Sequence, residues 1–114
     1  TIDDSRFETY RKGADFIQRY VFPGGMLPTK ALIAAHAEKA GLKLVASECF
    51  GERYARTLAD WRARFRQSSG AVQTLGFDQR FRRLWDYYLA YCEAGFRAAT
   101  IDVGLFVIEH ARKR

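Results

Sequence analysis

Two strands do not make a stable sheet with both faces covered, and this chain has strand patterning for only two. Leu42 to Phe50 alternates weakly, with Leu42, Leu44 and Ala46 on one side. Ile101 to Glu109 is rich in β-branched and aromatic residues, and from Val103 to Ile108 it is apolar on both faces. That composition suits the interior of a sheet covered from two sides. The rest is helical or loop. Residues 3–20 carry short helical turns, and Val21 to Pro28, with two prolines and paired glycines, is a loop. Thr29 reads as the N-cap of a helix from Lys30 to Ala40, stopped by Gly41. From Glu52 to Gln67, Tyr54, Leu58, Trp61 and Phe65 recur at i, i+4, i+7 and i+11, until Ser68-Ser69-Gly70 breaks the helix. A second long helix runs from Asp78 to Ala98 with an apolar stripe of Phe81, Leu84, Trp85, Tyr88, Cys92 and Phe96. The order helix, strand, helix, helix, strand is α/β. It predicts part of a doubly wound sheet whose first strands are missing.

The chain has 114 residues, enough for one small domain. Nine Phe, six Tyr and two Trp are more aromatics than so short a chain buries comfortably, so some are expected to face a ligand or another surface. A net charge of +6 favours anionic partners: phospholipid headgroups, nucleic acid or acidic proteins. No 18-residue apolar span, signal peptide or lipidation motif is present, which predicts a soluble or peripheral protein. Cys49 and Cys92 lie far apart and read as reduced thiols. The start at Thr1 leads us to expect sequence upstream.

Several chemistries are excluded. There is no G-x-G-x-x-G, no phosphate-cradling loop and no C-x-x-C pair. His36 and His110 have no Cys or His neighbours at ligand spacing and receive no role. Asp60, Asp78 and Asp86 sit among arginines and read as solvated ion pairs. Arg53, Arg56, Arg62, Arg64, Arg66, Arg80, Arg82 and Arg83 read first as a solvated face, second as a lipid-contacting one and last as a nucleic-acid contact. The aromatic stripe of the second helix is core or the wall of an apolar tunnel.

Four blocks carry a resemblance. They are D-F-I-Q-R-Y-V-F-P-G-G-M-L-P (15–28), F-G-E-R-Y-A-R-T-L-A-D-W-R-A-R-F (50–65), F-R-R-L-W-D-Y-Y-L-A-Y-C-E-A-G-F-R-A (81–98) and the closing I-D-V. In register, they resemble the C-terminal third of cyclopropane-fatty-acyl-phospholipid synthases and mycolic acid cyclopropane synthases. The resemblance implies that residues 1–114 are the C-terminal portion of a class I S-adenosylmethionine-dependent methyltransferase of Rossmann-like fold, with the sheet incomplete. It implies methyl transfer to the cis double bond of a phospholipid acyl chain, followed by proton loss to a bound bicarbonate and ring closure. Such a carbocation needs a dry site, and an acyl chain needs an apolar tunnel.

By that resemblance, Tyr54 matches the tyrosine that orients the bicarbonate, and Leu58, Tyr88, Cys92 and Phe96 match positions lining the acyl tunnel. The Phe22–Pro28 loop would shape the substrate side. Thr1-Ile2 look like the end of a family strand. The glycine-rich methyl-donor motif and the Glu and His that complete the bicarbonate site have no counterpart here. S-adenosylmethionine and bicarbonate are therefore cofactors of the parent enzyme, with neither expected on this chain alone. Expected partners are phospholipid acyl chains and an anionic membrane surface, with the missing N-terminal half or a second copy completing the sheet. Nucleic acid is not expected, and the location is cytoplasmic and peripheral to the membrane. A non-catalytic lipid-binding or regulatory module derived from the family is the alternative. The lipid, and a cyclopropane against a methyl-branched product, stay open.

Overall fold

Local signals place most of the elements. In a computed structural model, which describes residues 1–13 and 15–112, Thr29 caps α2 (Lys30–Lys39) by accepting the Leu32 N–H at 3.0 Å. Gly41 follows at φ +76°, the left-handed conformation that glycine adopts without steric cost. The predicted turns over 3–20 resolve into α1 (Asp4–Lys12), capped by Asp3, and a π-type turn at Ile17–Val21. Strand β1 (Leu42–Cys49) leads into α3 (Gly51–Gln67). Asp78 accepts the Phe81 N–H at 2.9 Å and so starts α5 (Gln79–Arg97). It is a helix cap, not the solvated ion pair predicted for it.

The break at Ser68-Ser69-Gly70 is real, but it is followed by a helix the sequence does not announce. The short helix α4 (Ser69–Thr74) has no strong helix former at its start. It is held from outside, because the Arg82 guanidinium of α5 donates to the Ser69 carbonyl at 3.3 Å.

Strand β2 (Gly104–His110) pairs antiparallel with β1, from Leu42 opposite His110 to Cys49 opposite Gly104, with a bulge between Leu44 and Ala46. The predicted strand began at Ile101. That residue instead bridges Ile2, and the chain steps out at Asp102 before β2 begins. The Asp102 N–H donates to the Thr1 carbonyl at 2.9 Å, so Thr1 and Ile2 do lie beside sheet-like backbone.

The core is thin. Among the described residues only Ala37, Ala55, Leu58 and Leu89 are buried apolar side chains. Strand β2 presents Leu105 at 64% and Val107 at 49% exposure, so the face predicted to be covered is bare in this chain. The shape follows. A compact chain of this length has a radius of gyration of about 13 Å, and this one has 17.4 Å. The α/β architecture with an unfinished sheet matches the expectation.

Candidate functional site

Helices α3 and α5 lie against one another and set the site between them. One carboxylate bridges them. Asp86 of α5 accepts from Arg62 Nε at 3.1 Å and Arg66 Nε at 2.6 Å, and each guanidinium makes a second bond to it. The Arg66 bond, helped by those from Arg62, outweighs burial and lowers the Asp86 carboxyl to about 2. The predicted surface ion pair is therefore a three-residue clamp between two helices.

Behind that clamp opens a cleft of about 1140 Å³. All five residues singled out from the sequence line it: Tyr54 and Leu58 from α3, and Tyr88, Cys92 and Phe96 from α5. The spacing explains why. Tyr54 and Leu58 are one turn apart, and Tyr88, Cys92 and Phe96 fall at i, i+4 and i+8, so each set forms one stripe. Leu58 is only 4% exposed and belongs to the core as much as to the wall.

Tyr54 stands in an aromatic cage. Its ring meets Trp61 at 5.8 Å, Phe96 at 5.2 Å and Phe50 at 6.5 Å between centroids, each edge to face. Its hydroxyl has no hydrogen-bond partner among the described residues. Along α5, burial raises Tyr88 to about 12, with the nearby Cys92 thiol acting in the same direction. Burial also raises the Cys92 thiol, against an opposing bond from Tyr88. Both stay neutral at physiological pH. This stretch of the wall is thus apolar with uncharged hydroxyl and thiol groups, while Arg6, Asp15, Arg64 and Asp102 also line the cleft.

The segment before α2 closes the other side, and here the sequence reading was incomplete. Phe22 packs edge-on against Tyr88 at 5.4 Å, and Met26 and Leu27 line the cleft. Tyr10, Asp15 and Tyr91 were missed. The Tyr10 hydroxyl accepts the Leu27 N–H at 2.7 Å, and the Tyr91 hydroxyl donates to Asp15 at 2.6 Å. Asp15 and Gln18 bond each other's backbone reciprocally. That Asp-x-x-Gln pattern is a capping signal, and it could have located the turn. No cluster of three metal-ligating side chains occurs among the described residues, and none of their helices is long and apolar enough to cross a membrane. Cys49 and Cys92 are free thiols.

Residues 1–106 match the family model for mycolic acid cyclopropane synthetase. The chain belongs to that family. It is 43% identical over 104 residues to the tuberculostearic acid methyltransferase of Mycobacterium tuberculosis, covering 90% of this chain and 24% of the relative. It is 33% identical over 88 residues to the cyclopropane-fatty-acyl-phospholipid synthase of Escherichia coli, covering 77% of this chain and 22% of the relative. Among solved structures it superposes on the mycolic acid cyclopropane synthase CmaA1, complexed with SAH and CTAB, with a TM-score of 0.78 at 28% identity. That match covers 92% of this chain and 34% of the solved one. The cyclopropane synthase MmaA2 of Mycobacterium tuberculosis matches with a TM-score of 0.76. The chain thus spans about a quarter of the length of these curated relatives, and its fold is part of the family's methyltransferase fold.

Proposed function

We propose that this chain forms the acyl-chain and bicarbonate side of an S-adenosylmethionine-dependent methyltransferase that adds a methylene across the cis double bond of an unsaturated phospholipid acyl chain. The observation that carries the reading is Tyr54, whose hydroxyl is unpartnered among the described residues and which lines a largely apolar cleft with Tyr88, Cys92 and Phe96. A bicarbonate needs hydroxyl or N–H donors, and the Tyr54 hydroxyl fits as one of them. No run here offers the glycine-rich turn that holds a nucleotide-like donor, so the methyl donor is held by residues outside this chain.

The residues present have three tasks. Leu58, Tyr88, Cys92 and Phe96 give an acyl chain an apolar wall and keep water from a developing carbocation. The Tyr54 hydroxyl donates to the anion and orients it toward the proton that is lost as the ring closes. Phe22, Met26 and Leu27 close the substrate side. The partner surface in this reading is an anionic bilayer. Exposed Leu75, at 76%, and Phe77, at 44%, are close in sequence to the exposed Arg80 and Arg83, a combination of apolar and cationic groups that suits a lipid interface.

The test is Tyr54→Phe in the complete polypeptide that carries this segment, assayed on unsaturated phospholipid vesicles. Losing a hydrogen bond to a charged group amounts to about 1.5–3 kcal/mol. Turnover should then fall roughly ten- to a hundredfold with methyl-donor affinity unchanged, and added bicarbonate should restore part of it. Wild-type turnover would return Tyr54 to a packing role. Gas chromatography of the product acids separates a cyclopropane from a methyl branch, and a methyl branch would overturn the ring-closing step.

A further inference from the structure

Asp102 lies between the Ile101 bridge and β2, and its carboxylate joins three parts of the chain. Oδ1 accepts from the Gly51 N–H at 3.0 Å and from the Val103 N–H at 2.9 Å, while Oδ2 accepts from Lys30 Nζ at 2.7 Å. Gly51 opens α3, whose first N–H groups have no partner within the helix. The preceding residue, Phe50, offers no side-chain cap, so a carboxylate from the far end of the sequence takes that place. Lys30 opens α2, so the same group ties together the starts of two helices. Burial works against its charge, but the bonds from Lys30, Val103 and Gly51 outweigh this and hold the carboxyl below the usual carboxylate range. It is therefore an ionised acceptor at neutral pH.

The junction is tight. A Cβ on Gly51 would stand 2.5 Å from Asp102 Oδ1 and 3.2 Å from the Phe96 ring. The Phe50 N–H donates to the Val103 carbonyl, and the Phe50 carbonyl in turn accepts the Tyr54 N–H, both at 2.9 Å. Tyr54 is one turn into α3, and Phe96 touches both the helix start and the Tyr54 ring. Where α3 begins thus decides where the Tyr54 hydroxyl points.

We infer that Asp102 is a positioning residue for Tyr54: by capping α3 from outside and anchoring it to Lys30, it fixes the hydroxyl in the cleft. The inference rests on the function proposed for Tyr54 for its effect on rate, but not for its effect on geometry, and the experiment separates the two.

In the complete polypeptide, Asp102→Ala, Asp102→Asn and Tyr54→Phe are compared singly, and Asp102→Ala is combined with Tyr54→Phe. The ¹⁹F signal of 3-fluorotyrosine at position 54 is recorded alongside turnover. Asp102→Ala should lower turnover about tenfold at unchanged methyl-donor KM, and should shift or broaden the Tyr54 signal. Asp102→Asn keeps an oxygen for the Gly51 N–H but gives up the ion pair with Lys30, so it should shift the Tyr54 signal and lower turnover less than Asp102→Ala does. In the Tyr54→Phe background, Asp102→Ala should cost less than about twofold, because two residues acting through one hydroxyl are not additive. The same tenfold loss in that background, or an unshifted Tyr54 signal in Asp102→Ala, overturns the inference. If Asp102→Ala does not fold, Asp102→Asn decides: a Tyr54 signal and a turnover both unchanged from wild type in that folded variant overturn the inference. Wild-type turnover in Tyr54→Phe alone would sink the function proposed for Tyr54, while the ¹⁹F signal would still decide whether Asp102 positions it.

Discussion

Phe96 meets Tyr54 edge-on, with ring centroids 5.2 Å apart and planes at 86°, and this contact joins the two helices that wall the cleft. Removing a partly buried ring loses its apolar burial and leaves a gap. Phe96→Ala should therefore lower stability by about 2–3 kcal/mol, below the range for a fully buried phenylalanine. Equilibrium urea unfolding measures this, and a change under about 0.5 kcal/mol, the usual size for a surface site, would show that the ring contact carries little.

The Asp86 clamp gives a pH dependence with a definite sign. Its carboxyl titrates near 2 in the folded chain and at 3.8 when unperturbed, so the folded state favours the charged form. Its contribution is complete above about pH 4 and is lost as the pH falls toward 2. Asp86→Asn should cost about 1 kcal/mol at pH 7, since Arg66 is largely exposed and the pair is screened. The difference between wild type and variant should shrink below pH 4. A constant difference down to pH 2.5 would contradict the clamp.

Two glycines should respond in opposite directions. Gly51→Ala drives a methyl group against Asp102 and Phe96, so it should destabilise the fold by about 2 kcal/mol or more. Gly70, in α4, has open space within 4 Å of the point where a Cβ would sit, and Gly70→Ala should stabilise by roughly 0.5–1 kcal/mol through helix propensity. Thermal unfolding of both variants measures the contrast.

The bare face of β2 predicts self-association of the 114-residue chain made alone. Leu105 and Val107 are the exposed residues of that face, and replacing both by lysine should shift the chain toward monomer in light scattering. A monodisperse wild-type monomer would mean that the β1–β2 pair needs no cover.

Local periodicity determined much of this protein. The cap at Thr29 and the stop at Gly41 are decided within a few residues, and so are the one-turn spacing of Tyr54 and Leu58 and the stripe of Tyr88, Cys92 and Phe96. The sequence could therefore name the residues on each helix face, and four ordered blocks could name the family. It could not say that the two stripes face each other across one cleft. That is decided by contacts between distant residues, among them Tyr54 against Phe96 and Asp86 gripping Arg62 and Arg66 more than a dozen residues away. Helix α4 stayed hidden because its intrinsic propensity is weak and Arg82 of another helix supports it. Asp102 looked like an ordinary strand residue, since nothing next to it in sequence shows that Gly51 and Lys30 converge on its carboxylate. Short-range hydrogen bonding and side-chain periodicity are written along the chain. The partner of a charged or capping group is chosen only when distant segments pack, because the contact is decided by distance in space.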